Sequence, residues 1–219
     1  MYSLIVKDIL IQKNRLLVCL FIIILMIFSF QNIGAAMFTA CAGAFTYSLV
    51  MTACAYEDMN KSDIMINSLP VKKSEIVGAR YVSIFIFFVI GSVVYYLCYV
   101  ITGITRIPLK VYPLSPELLM GGLVSVSLIH GIYLPVFFKV GYVKSKMLNF
   151  IIFFGFFYGV SSLIAVIQHK TDLPLIKQLI EFVQSRGQIF LLMIMLGFVA
   201  VFMCASYLLS LEFYKQREF

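Results

Sequence analysis

Acid–base, metal or nucleophilic chemistry needs clustered His, Cys, Asp, Glu or Ser side chains, and this sequence scatters the few it has. Its two histidines are His130, inside an apolar run, and His169, between two such runs. One acidic pair, Glu57-Asp58, closes another apolar run. An intramembrane protease of the glutamate type needs paired acids and several histidines within the bilayer, and one embedded histidine does not supply that set. The cysteines Cys19, Cys41, Cys54, Cys98 and Cys204 lie in apolar runs without a CxxC pair, which suits helix packing rather than a metal site or disulfides. No GxxxxGK[ST] loop is present, so any ATP must be bound by another chain. There is no embedded carboxylate series for proton coupling, no arginine ladder and no TVGYG-like filter. The chain is therefore read as a non-enzyme with no metal site or cofactor of its own. His130 reads as a histidine hydrogen-bonded to a neighbouring helix.

What could position anything here is set by composition. Over 219 residues the chain is 62% hydrophobic and 12% charged, with a mean hydropathy of +1.01. Soluble domains carry about twice that charge, so a soluble enzyme, a disordered chain and a disulfide scaffold are excluded. The net charge of +7 does not indicate nucleic acid, because the basic residues sit at the ends of apolar runs. The expectation is an all-α, polytopic membrane protein with one transmembrane domain over 1–219.

A helix needs about 20 residues to cross about 30 Å of hydrocarbon. Leu16 to Tyr56 is uncharged and, at ~1.5 Å per residue, long enough for two crossings broken at Ser29-Phe30-Gln31-Asn32 and Gly34. Spans are expected at 14–31, 34–56, Tyr81–Ile101, Leu118–Phe138, Met147–Ile167 and Gly187–Leu211, making six. Lys7, Lys13, Arg15, Lys61, Lys72, Lys73, Arg80, Lys139, Lys144, Lys146, Lys215 and Arg217 fall on one side of this threading. They outnumber Arg106, Lys110, Lys170, Lys177 and Arg186 on the other, so both termini should be cytoplasmic. The apolar text continues past Gly34-Ala35-Ala36, which argues against a cleaved signal peptide. Met1–Arg15 reads as an interfacial helix, with Tyr2, Ile5, Val6 and Ile9 on one face and Ser3, Lys7, Asp8, Gln12 and Arg15 opposite. A second surface helix is expected after Asp172-Leu173-Pro174, carrying Leu175, Leu179 and Val183.

Small residues recur at helical spacing: Ala36, Ala40 and Ala44, then Gly121 and Ser125, and Ser127 and Gly131. They let helices approach closely, within the chain or between subunits. The fifth run is rich in aromatics. Phe150, Phe154, Phe157 and Tyr158, together with His130, are the candidate lining of a translocation path for an apolar substrate, although the aromatics could equally face lipid.

The longest inner segment is 57–80, and it holds most of the inner acids. An apolar patch, Ile64-Met65-Ile66 with Leu69, stands among charges and reads as a short amphipathic helix offered to a cytoplasmic partner. Glu57, Leu69-Pro70, Lys72-Lys73, Ile76-Val77 and Arg80-Tyr81 together resemble the small six-helix permeases of ATP-binding-cassette type-2 exporters. They are most similar to the membrane subunits of exporters for phenol-soluble modulins and of bacitracin-type resistance systems. That resemblance implies a bacterial plasma-membrane half-transporter with a second permease and two separate ATPase subunits that bind ATP and Mg. It places coupling to the ATPase in this loop, at Glu57, Asp58, Lys61, Asp63, Ile64, Met65, Leu69, Pro70 and Lys72. The expected function is export of amphipathic peptides or hydrophobic antimicrobial compounds. The alternative is a non-transporting membrane immunity or scaffold protein.

Overall fold

The computed structural model describes residues 2–12, 16–31, 34, 36–60, 62–68, 70–105, 109–169 and 188–217. Among these the chain is helical: α1 Tyr2–Ile11, α2 Leu16–Ser29, α3 Ala36–Met59, α4 Ser62–Ser68, α5 Lys73–Thr105, α6 Pro116–His169 and α7 Gln188–Gln216. Among the described residues four stretches are long and apolar enough to cross a bilayer: Ala36–Met59, Lys73–Thr105, Pro116–Leu148 and Gln188–Gln216. The protein is a polytopic all-α membrane protein, as its composition requires. The first expected span is α2, whose 14 residues rise about 21 Å, less than the hydrocarbon thickness. The outer surface helix expected after Asp172 lies outside the described residues.

Local chemistry explains the helix ends. Ser115 caps α6 by accepting the Leu118 N–H at 3.3 Å, and Pro116 follows where its missing N–H costs nothing. The break between α2 and α3 contains Gly34 at φ 72, a left-handed conformation suited to glycine. Within α3, Thr46, Ser48 and Thr52 return their hydroxyls to carbonyls four residues back, so these three groups are satisfied without water.

The expected inner loop with Lys139, Lys144 and Lys146 is not a loop. α6 passes from one span to the next through a single residue, Gly141, at φ 78 and ψ 177. Four juxtapositions along α3 show that the chain doubles back there. Before the break, Gly122 lies against Phe38 near the start of α3, while Phe138 reaches Glu57 at its far end. After it, Tyr142 shares a cleft with Tyr56 and Met59, and Phe150 and Ile151 share another with Tyr47 and Met51, back along α3. Residues 142–169 therefore return alongside α3. One glycine suffices because it alone reaches this corner of backbone space cheaply.

α3 is the most enclosed span and α7 the least. Phe38, Phe45 and Leu49 of α3, Phe87 and Tyr95 of α5, and Tyr133 and Leu134 of α6 meet in one core. Glycines admit rings across the helix interfaces. A Cβ at Gly91 would lie 2.7 Å from Phe45, one at Gly122 would lie 2.8 Å from Phe38, and one at Gly131 would lie 2.5 Å from Phe202. Gly131 of the Ser127–Gly131 pair thus packs within the chain, and beside the Gly121–Ser125 pair it is Gly122 that meets α3. Of the alanine stripe only Ala44 is buried, while Ala36 is exposed.

α1, α4, the Gly141 break and the end of α7 gather at one end of the bundle. Lys73 Nζ approaches the Lys215 carbonyl oxygen at 3.4 Å, and Arg217 flanks Gly141.

Candidate functional site: a buried ion cluster beneath a short inner helix

Arg80 lies two turns inside α5, and there its guanidinium cannot reach bulk water. It is 5% exposed, and a charge so placed must be paired. One edge, Nη1, donates to Asp8 Oδ2 of α1 at 3.0 Å, and the other, Nη2, is paired with Glu57 of α3. Both carboxylates are buried as deeply as the arginine. Ser83 Oγ also lies 3.1 Å from Asp8 Oδ2. Leu4, Ile76, Ala79 and Phe138 close around the charges, with the partly exposed Lys7 3.9 Å from Asp8 Oδ1, leaving a cavity of about 10 Å³, room for one water at most. In so dry a setting the planar fork of arginine can hold two carboxylates on two helices at once, which a lysine ammonium cannot reproduce.

The adjacent residue reaches the opposite way. Pro135 in α6 has no N–H to return to the Gly131 carbonyl, so that oxygen is free for another donor. Ser206 Oγ of α7 takes it at 2.5 Å. Having spent its proton there, Ser206 accepts from Tyr81 OH at 2.6 Å, which in turn accepts from Ser210 Oγ at 2.8 Å. Arg80 and Tyr81 thus tie α5 to α1 and α3 on one side and to α6 and α7 on the other.

Asp8 and Gln12 correct the reading of the N-terminal helix. Expected on its water-facing side, they are 3% and 1% exposed. Leu4, Asp8 and Gln12, at i, i+4 and i+8, turn inward. Gln12 Nε2 donates to the Leu49 carbonyl oxygen of α3 at 2.7 Å, while Leu10 stands 62% exposed. Arg80 is more than an orienting charge. The available signal was its position: a basic residue eight positions past Pro70-Val71-Lys72 in an apolar helix demands an acid, and Glu57 and Asp8 supply it.

The inner helix expected around Ile64 is α4, directly after α3. Ile66 folds into the core, whereas Met65 stands 71% exposed. Pro70 and Lys72 are exposed and Asp58 is half-buried. Glu57 turns away from this surface to Arg80. Lys61 and Leu69 lie outside the described residues, as do the side chains of Asp63 and Ile64.

The candidate path residues are divided. Phe150, Phe154 and Tyr158 form one exposed stripe at four-residue spacing, with the Phe150 and Phe154 rings 4.5 Å apart. The side chain of Phe157 lies outside the described ones. His130 does not share their surface. It is buried on the first half of α6, and neither ring nitrogen has a hydrogen-bond partner among the described residues, in contrast to the expected bond to a neighbouring helix. Phe150 and Ile151 also line a cleft of about 450 Å³ with Tyr47, Met51, Lys146 and Met147. Among the described residues no group of His, Cys, Asp or Glu side chains is arranged to hold a metal.

A family model described as "ABC-2 family transporter protein" matches residues 3–215. Neither the curated proteins nor the solved structures contain a significant match.

Proposed function

Since the chain belongs to the ABC-2 transporter family and is thereby a permease subunit that works with an ATP-binding-cassette ATPase, we propose that it exports amphipathic peptides or hydrophobic antimicrobial compounds across a bacterial plasma membrane. In this reading it is similar to phenol-soluble-modulin and bacitracin-type exporter subunits. It pairs with a second permease, and the partner ATPases bind ATP and Mg. The observation that carries the reading is α4, a short helix bridging the inner ends of α3 and α5 with Met65 exposed. Closure of the ATPase dimer on ATP pushes α4, and the push passes to the two spans it joins. The substrate class is supported by the spans themselves. Small polar solutes are bound at mid-membrane by buried charges or broken helix ends. Here the buried charges are engaged with one another at the inner end, Asp8 and Glu57 with Arg80 and with Lys7 beside Asp8, and what the spans present is apolar and aromatic, including the cleft beside Phe150.

Affinity purification in mild detergent tests the assembly: an ATPase with a P-loop and a second permease should co-purify. Reconstituted complex should hydrolyse ATP faster with an amphipathic helical peptide, and not with a sugar or an inorganic ion. Purification without an ATPase would instead support the immunity or scaffold reading.

A further inference from the structure

We propose that Asp8 and Arg80 lock the N-terminal helix α1 to the inner ends of α3 and α5, so that α1 moves with these spans as one body during transport instead of resting on the membrane surface as an independent anchor. The inference rests on the permease reading above and adds a moving part to it.

Three observations carry it. The first is the fork of Arg80. Its two edges go to different elements, Asp8 of α1 and Glu57 of α3, while the residue belongs to α5. A rotation of any one of the three helices against the others breaks a charge-assisted bond in a cavity too small for the water needed to replace it. The second is independent of charge. One turn further on, Gln12 donates to the Leu49 carbonyl oxygen of α3, giving α1 two attachments along its length rather than a pivot. The third is the burial of polar side chains on α1. An interfacial helix keeps its polar stripe in water and its apolar stripe in lipid. Here the stripe Leu4, Asp8 and Gln12 is inside and Leu10 is outside. A helix whose acid and amide are sequestered from water cannot slide or lift without exposing or orphaning them. α4 joins the same two helices that the fork clamps. Force arriving at α4 therefore reaches α1 through Glu57 and Arg80, and these are positioning residues for the transport cycle.

The test uses two variants that preserve the fold. Asp8→Asn keeps shape and releases α1 while Arg80 and Glu57 stay paired. Arg80→Lys keeps the charge balance and loses the fork. Nitroxide labels at Leu10 and Met59, both exposed, report the α1–α3 distance in complexes containing one labelled permease. The unmodified chain should give the same narrow distance distribution without nucleotide and with ATP and vanadate. Both variants should broaden it and reduce peptide stimulation of ATPase activity about fivefold or more, with basal hydrolysis retained. A distance that differs between the two states of the unmodified chain overturns the proposal, as does unchanged stimulation in both variants. Failure of the unmodified complex to respond to any peptide would count against the exporter reading instead. The distance measurement on the same sample would still decide whether the lock holds.

Discussion

Gly141→Ala tests the chain reversal with a magnitude that follows from geometry. At φ 78 and ψ 177 the residue occupies a region that is almost exclusive to glycine, and an L side chain there costs on the order of 1–3 kcal/mol. The added Cβ would also lie 3.3 Å from Arg217 Nη2, the far end of a flexible side chain, so that contact can relax by a few tenths of an ångström at little cost. The backbone term therefore decides the outcome. For a chain of this length about 1 kcal/mol corresponds to about 2–4 °C, which puts the expected fall in melting temperature at roughly 2–12 °C. Gly155→Ala and Gly159→Ala are the internal controls. Both lie within helix, with nothing within 4 Å of the new methyl, and removing a helical glycine gains up to ~1 kcal/mol. Thermal unfolding of the purified protein in detergent, followed by a thiol-reactive dye as buried Cys41 and Cys54 become accessible, separates the three variants. A Gly141→Ala protein that melts with the wild type, or no lower than the two controls, would refute the single-glycine reversal.

Arg80→Ala leaves two buried carboxylates facing each other and should cost about 3–5 kcal/mol, seen as loss of folded protein after extraction. The charge-free combination Asp8→Asn, Glu57→Gln and Arg80→Met should recover most of it, and no recovery would show that the cluster is not the cause. Gly131→Ala should destabilise by about 1–3 kcal/mol through the clash with Phe202, and Phe202→Leu in the same chain should relieve it in the same melting assay. Met65→Asp should leave stability within about 0.5 kcal/mol yet abolish peptide-stimulated ATPase activity, whereas Ile66→Asp should destabilise, because only Ile66 is buried. Single cysteines replacing Lys72 and Lys110, in a chain without its native cysteines, should react with an impermeant maleimide in intact cells only at position 110. Labelling at 72 alone would invert the topology.

How far the sequence reaches can be judged element by element. The apolar runs, the break at Gly34 and the short helix after Glu57 are legible because each depends on local composition: a segment's transfer into hydrocarbon is a sum over its own residues, and a turn needs its own glycine. The motif residues Glu57 and Arg80 could be picked out, but not their pairing. Asp8 and Arg80 are 72 residues apart, and an acid on the polar side of an amphipathic helix reads the same whether it faces water or a buried guanidinium. Only docking of α1 against α3 and α5 chooses between them, and the choice buried Asp8 and Gln12, which were expected in water. The three lysines near Gly141 fall at the end of the bundle that also holds α1 and the end of α7, but they suggested a loop, since charge reports solvation and not backbone path. The exposed Phe150, Phe154 and Tyr158 and the enclosed His130 belong to one run of helix broken at Gly141, and their separation likewise depends on which neighbours each half of α6 meets. Sequence alone determined which segments leave water, because that is a property of each segment. Tertiary structure decided which polar groups leave water together, because a buried charge is tolerable only when another element brings its partner within bonding distance.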